Sequence, residues 1–252
     1  MQQESPNTAM DLMLRQMPLD SDGDRIWPSN SLPAGCKGNI FAFGLFVSPI
    51  PTFRRVIRNK STEQFSGLPY IYALLNCLIS AWYGSPLMSV DNVLVTTVNS
   101  SGAVFQIIYI TLFITHAEKP RKVRMFGLLL AVLGIVALII AGSLQISDFA
   151  LRHVLIGCLS CASLVSMFAS PLFVINLVIR TRSVEYMPFY LSLSTFLMST
   201  AFFIYGMLNY DPFVYLPNGI GTILGIVQLA LFFYYKNTAG EDAREPLIVS
   251  YT

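Results

Sequence analysis

The chain has 252 residues, of which 54% are hydrophobic and only 12% charged, and its mean hydropathy is +0.59. That composition excludes an ordinary soluble domain and points to an integral membrane protein. Sixteen basic and fourteen acidic side chains leave a net charge of +2, which gives no sign of a nucleic-acid partner and makes the placement of charges the informative quantity.

Residues 1–35 are polar and lack the apolar core of a secretory signal peptide, so they read as a disordered tail without an assigned function. The first apolar stretch, 40–53, is short: only sixteen residues separate Lys37 from Arg54. It reaches the roughly 20 residues a bilayer requires only if Lys37 snorkels or residues 34–36 join the helix. Uncharged stretches of sufficient length follow at 65–84, 93–115, 125–144, 154–179, 187–208 and 213–235. The expectation is seven transmembrane helices in an all-α membrane protein, none with Asp, Glu, Lys or Arg in its interior. Basic residues follow the first span (Arg54, Arg55, Arg58, Lys60), the third (Lys119, Arg121, Lys122, Arg124) and the fifth (Arg180, Arg182). The opposite loops hold Asp91, Asp148 and Asp211 against a single Arg152. The basic loops are therefore expected in the cytosol, with the N-terminus lumenal or extracellular and a cytosolic tail at 237–252.

Cys77, Cys158 and Cys161 fall within spans and Cys36 borders the first. The Cys158-x-x-Cys161 spacing fits a redox or metal motif, but no second pair or histidine cluster accompanies it, so small buried side chains are expected and no disulfide framework or metal site. Walker A, HExxH and Ser-His-Asp patterns are absent from the sequence, and no enzyme or cofactor is implied.

The chain repeats itself. Residues 48–63, SPIPTFRRVIRNKSTE, match residues 170–185, SPLFVINLVIRTRSVE, at seven of sixteen positions and a shift of 122. Pro69 matches Pro188, WYG at 82–84 matches IYG at 204–206, and Asn99-x-x-Gly102 matches Asn218-x-x-Gly221. Three spans recur and the fourth is left over. A single linker span restores orientation, so the halves are parallel repeats about an axis along the membrane normal. The division is a first repeat at 36–115, a linker at 116–152 and a second repeat at 153–236, two parallel three-helix bundles in a 3+1+3 arrangement.

This arrangement, with NKSTEQFSGLPY, LLNCLISAWYG, TVNSSGAV, MFASPL, RSVEYMPFYLSLS and PNGIGTILG, resembles the SWEET family of sugar transporters. The similarity covers roughly residues 38–236 and is closest to plant members of the clade that includes vacuolar carriers. The first helix departs from the family pattern, whose members begin it a turn or two earlier with small apolar residues.

An unpaired amide in hydrocarbon costs several kcal/mol, and an interhelical hydrogen bond in a membrane returns about 0.6–2 kcal/mol. An asparagine there needs a partner or water. One such residue reads as glue between helices, but Asn99 and Asn218 are a pair related by the repeat, expected near mid-depth and facing a shared cavity. Each offers donors and an acceptor side by side, which suits adjacent hydroxyls of a sugar. The resemblance implies that these two form the sugar site. It also implies an aromatic plate at Phe202, a pocket position at Ser80, and a bulky residue at Met167 of the kind found in monosaccharide carriers. Pro49, Pro69, Pro171 and Pro188 occupy equivalent places on the first two helices of each repeat, where a missing N–H kinks a helix. The resemblance implies a tetrad of hinges. Tyr83 and Asp211 match the family's outer gate. Gly84 and Gly206 follow the gate-proximal tyrosines Tyr83 and Tyr205 and read as sites of close helix approach.

The implied function is uncoupled, bidirectional facilitated diffusion of monosaccharides such as glucose, since coupled carriers use ionisable residues within the membrane. Alternatives are a seven-helix receptor, which lacks such a repeat, or a non-transporting membrane scaffold. The resemblance implies a homo-oligomer, often a trimer. The tail EDAREPLIVSYT sets an acidic cluster before Leu247 and Ile248, similar to a dileucine sorting signal. Together with the clade it favours the vacuolar membrane, with the plasma membrane second.

Overall fold

The computed structural model describes residues 31–63, 65–89, 92–184, 187 and 189–242, with side chains up to residue 236. Among them the chain forms helices α1 (Leu32–Val47), α2 (Ile50–Asn59), α3 (Leu68–Tyr83), α4 (Val93–His116), α5 (Lys119–Gln145), α6 (Phe149–Met167), α7 (Ala169–Thr181), α8 (Phe189–Leu208) and α9 (Pro212–Asp242). Two breaks turn nine helices into seven crossings: α1 and α2 form one span, Leu32–Asn59, and α6 and α7 another, Phe149–Thr181. Six crossings are long and apolar enough for a bilayer, and α3 is a shorter apolar helix of 16 residues. Residues 1–30 and 243–252, including Leu247 and Ile248, lie outside the described residues.

The first crossing is longer than the expected 40–53. Pro33 sits in the first turn of α1, where its missing N–H breaks no bond, and the helix runs on through residues 34–38 with Lys37 exposed. Small residues make this possible. Gly35 and Gly38 are buried, and a Cβ on Gly38 would lie 2.7 Å from the Phe202 ring. Glycine at a spacing of three thus lets α1 lie directly on α8, in a solvent where packing rather than hydrophobicity joins helices.

The prolines divide by position. Pro49 ends α1: the Leu45 carbonyl, deprived of its helical donor, accepts instead from the Ser48 N–H (3.3 Å) and hydroxyl (2.8 Å). Pro171 follows the break at Phe168 in the second bundle. Pro69, expected to kink its helix, instead lies in the first turn of α3, where proline interrupts nothing. Pro188 lies outside the described residues. The proline within a helix interior is Pro217, in α9, directly before Asn218; it is unpaired in the repeat, because Val98 holds the matching place in the first half.

The packing has twofold pseudosymmetry. α3 on α4 corresponds to α8 on α9, α1 on α4 to α6 on α9, and, across the bundles, α3 on α6 to α1 on α8. Every pair is exchanged by the operation that sends α1, α3 and α4 to α6, α8 and α9, as parallel repeats require. The linker α5 breaks the symmetry by packing on α3 and α4. Met125, Val132 and Val136 join the core formed by Phe53, Ile71, Leu74 and Phe113, and Trp82 Nε1 donates to Ser143 Oγ at 3.1 Å. Its other face, with Leu138 74% exposed, is apolar and suited to lipid.

Basic loops gather at one end of the bundle. There Arg55 pairs with Glu63 (2.7 Å) and Asn59 donates to the same carboxylate (2.6 Å), which holds the Glu63 carboxyl below its ordinary range, the Arg55 guanidinium first and the Asn59 amide second. Arg121 of α5 donates to the Glu63 carbonyl, tying the linker to the first bundle.

At the other end the chain turns tightly after α3 and α8. A Cβ on Gly84 would lie 2.8 Å from the Thr96 backbone nitrogen, and one on Gly206 would lie 2.6 Å from that of Tyr215. Backbone cannot step aside as a side chain can. Gly84→Ala and Gly206→Ala are therefore expected to cost about 1–3 kcal/mol and to lower the melting temperature in detergent by roughly 3–10 °C. Gly134→Ala, where a Cβ meets nothing within 4 Å, serves as the neutral control; equal melting temperatures for all three would remove this account of the turns.

Candidate ligand-binding cavity

Between the two bundles lies a cavity of about 250 Å³. Asn99, Asn218, Ser80, Phe202 and Met167, drawn from five helices, all line it. The asparagines occupy the same place on α4 and α9 and solve the burial problem in the same way. Asn99 Nδ2 donates to Val95 O at 2.9 Å and Asn218 Nδ2 to Val214 O at 2.8 Å, each one turn back on its own helix. Among the described residues, neither amide bonds across to another helix. One N–H of each is satisfied locally, and the remaining N–H and the Oδ1 are the groups a ligand can use.

The other lining residues are held by the packing around them. Ser80 Oγ meets Ser160 Oγ of α6 at 2.9 Å, one rung of a polar ladder that continues with Ser163 Oγ donating to Asn76 Oδ1 (3.0 Å) and with Tyr72 against Ser166. Phe202 is buried, forms a T-shaped ring pair with Tyr205 and packs against Gly38. Met167 is the last residue of α6, just before the break, and lines the cavity. Sequence reading missed the serine stripe, although Ser160, Ser163 and Ser166 recur at helical spacing, opposite Tyr72, Asn76 and Ser80.

Tyr83 lines the cavity at the end away from the basic loops. Its hydroxyl donates to Asp211 Oδ2 at 2.7 Å. The same carboxylate oxygen accepts from Asn92 Nδ2, and Oδ1 accepts from the Phe213 N–H at 2.9 Å. A loop aspartate is usually solvated; Asp211 is only 7% exposed, and these three donors are what make its burial tolerable. His153 Nδ1 faces the Met88 carbonyl at 2.7 Å, so Nδ1 carries a proton, and Nε2 stands 3.3 Å from the Tyr83 hydroxyl. Asn92 and His153 were not anticipated. Asn92 could have been, for it lies 119 residues from Asp211, the offset that relates Asn99 to Asn218. A single histidine near a helix start carries no comparable signal.

The cysteines are not all buried as expected. Cys77 is buried on the cavity wall, whereas Cys158 and Cys36 are exposed and Cys161 is half-buried; all are free thiols.

The family described as "Sugar efflux transporter for intercellular exchange" matches the chain twice, over residues 33–121 and 154–240. The chain belongs to the SWEET family. Among its relatives, the bidirectional sugar transporter SWEET2 of Arabidopsis thaliana is 69% identical over 219 residues, covering 86% of this chain and 93% of the relative. SWEET2a of Sorghum bicolor is 58% identical, covering 87% and 90%. The 3.7 Å resolution structure of a eukaryotic SWEET transporter superposes with a TM-score of 0.82 at 53% identity, covering 83% of this chain and 98% of that one. The doubled match accords with the repeat read from residues 48–63 and 170–185. Seven crossings in the SWEET arrangement, the first repeat and linker packed together and the second beside them, frame the cavity between equivalent helices.

Proposed function

We propose that this protein carries monosaccharides such as glucose across a membrane in both directions, by alternating access and without coupling to an ion gradient. The observation that carries the reading is the pair of repeat-related amides, Asn99 and Asn218, facing one cavity whose walls contain no Asp, Glu, Lys, Arg or His among the described residues. A carrier driven by protons or sodium places ionisable side chains on the ion's path. The cavity is small beside the roughly 300–1,000 Å³ of clefts for drug-sized ligands, which favours one sugar ring over two. Asn99 and Asn218 hold the hydroxyls, Phe202 covers an apolar face of the ring, Ser80 adds a polar edge and Met167 limits length. Tyr83 and Asp211, with Asn92 and His153, are the latch of the gate away from the basic loops. Pro49 and Pro171, at helix breaks in equivalent crossings, are hinge points; of the other two prolines of the tetrad that the family pattern implies, Pro69 interrupts no helix and so does not act as a kink.

The expected result in proteoliposomes is glucose uptake whose initial rate changes by less than about twofold when a proton gradient is imposed or collapsed. Uptake that persists only with the gradient overturns the uncoupled mechanism.

The excess of Arg and Lys on the α2–α3, α4–α5 and α7–α8 connections supports a cytosolic basic end, with the latch facing the lumen or the exterior. The acidic and dileucine tail and the family clade support the vacuolar membrane over the plasma membrane. Assembly as a homo-oligomer, a trimer in the family pattern, and the division at 36–115, 116–152 and 153–236 belong to the same proposal.

A further inference from the structure

One polar side chain in the cavity wall is left without an answer from the protein. Gln106 is 8% exposed and lines the cavity, and its Oε1 is buried without a hydrogen-bond partner among the described residues. Such groups are rare in native structures because a buried acceptor gives up water without replacement. Asn99 and Asn218, in the same cavity, each use a carbonyl of their own helix; Gln106 does not.

Its position is as informative as its lack of a partner. Gln106 lies seven residues beyond Asn99 on α4, so it shares the face of Asn99 and sits about 10 Å nearer the basic end. Asn76 of α3 lines the same cavity; Ser163 occupies its Oδ1, while its Nδ2 makes no hydrogen bond among the described residues. The second bundle has no equivalent. The offset of the asparagine pair places Gly225 opposite Gln106, and there a Cβ would lie 2.8 Å from Phe196 Cβ. The amide therefore breaks the pseudosymmetry on one side of the central pair.

We propose that Gln106 forms a second sugar-contacting station, on the basic-end half of the cavity, which takes a hydroxyl of the sugar as it passes between that end and the Asn99–Asn218 pair. The terminal torsion of glutamine is soft, so the carboxamide turns either Oε1 or Nε2 toward the ligand, and Asn76, which lines the same cavity, offers its Nδ2 as a further donor. Because the station is single and off-centre, the two directions of entry are unequal: a sugar arriving from the basic end meets it before the central amides.

This inference rests on the sugar-carrier reading, and its test separates the two. Zero-trans entry of radiolabelled glucose is measured from each face for the parent, Gln106→Met and Gln106→Glu, with a panel of deoxyglucoses. Gln106→Met keeps the volume and removes the polar atoms; Gln106→Glu keeps an acceptor. The expected result for Gln106→Met is a half-saturation concentration raised about 3- to 10-fold for entry from the basic end, a smaller change from the other face, and a maximal rate within about twofold of the parent. Gln106→Glu restores half-saturation, and one deoxyglucose, lacking the contacted hydroxyl, loses its penalty in Gln106→Met while the others keep theirs. Equal half-saturation in parent and Gln106→Met, or a rise shared by every deoxyglucose, overturns the station while leaving the carrier intact. If Gln106→Met does not fold, Gln106→Leu, which also removes the polar atoms, is measured across the same panel, and half-saturation equal to the parent from both faces overturns the proposal. A parent that carries no sugar removes both readings.

Discussion

Asn99→Ala and Asn218→Ala are each expected to insert and fold like the parent, yet to carry glucose at less than about a tenth of its rate. Each asparagine spends one N–H on its own helix and keeps the other N–H and Oδ1 for the cavity. Truncation therefore removes about two ligand hydrogen bonds, worth about 0.5–1.5 kcal/mol each, and leaves sugar hydroxyls unpaired in a desolvated chamber. The fold has little reason to respond. The lost intrahelical bond leaves Val95 O and Val214 O with their ordinary helical donors, so melting temperature should stay within a few degrees of the parent. Because the two residues are exchanged by the repeat, the losses should be of similar size. Flux per inserted protein, measured with radiolabelled glucose, checks this; either variant carrying sugar at the parental rate would reject the paired-amide site.

The second large effect concerns the latch. Asp211→Ala removes the oxygen to which both the Tyr83 hydroxyl and the Asn92 amide donate, leaving Tyr83 only the longer contact to His153 Nε2 and Asn92 only its bond to Ser89 Oγ. A hydrogen bond to a charged acceptor is worth about 1.5–3 kcal/mol, and its loss falls only on the state in which this end is closed. Opening there is favoured accordingly, by about 10- to 100-fold in population. The chain contains its own reporter: Cys77 lies on the cavity wall and is 7% exposed. With Cys36, Cys158 and Cys161 replaced by serine, a membrane-impermeant thiol reagent applied from the latch side should label Cys77 about 10- to 100-fold faster in Asp211→Ala than in the parent. Tyr83→Phe should move in the same direction but less, because Asp211 keeps the Asn92 and Phe213 donors. Unchanged labelling in Asp211→Ala would show that the carboxylate does not hold this end shut.

Much of this site is legible in the amino-acid sequence. Asn99 and Asn218 stand out because an amide in hydrocarbon is costly and because the repeat presents it twice. Gly84 and Gly206 stand out through the same duplication, and a Cβ at either collides with backbone. Where the repeat is imperfect, legibility fails. Pro217 has Val98 as its counterpart, Gln106 has Gly225, and His153 has no partner motif, so nothing in the pattern marks them. Pro69 fails differently: the residue type is right for a kink, but its effect depends on whether it falls within a helix or in its first turn, and a change of a few residues in the helix start decides that.

Membrane class, the number of crossings and the parallel repeat are all written in the order of residues along the chain. In a bilayer every backbone group must bond within its own segment, so a crossing is a local property and shows in a run of apolar residues. The lateral arrangement of the helices is not local. Lipid is as apolar as leucine, so helices choose neighbours by shape, through small residues such as Gly38 against Phe202 and a few polar rungs such as Ser80 with Ser160. It is this three-dimensional packing that brings Asn92 to Asp211 and Tyr83 to His153, docks the linker on the first bundle, and buries the Gln106 carbonyl in the cavity wall without a hydrogen-bond partner among the described residues.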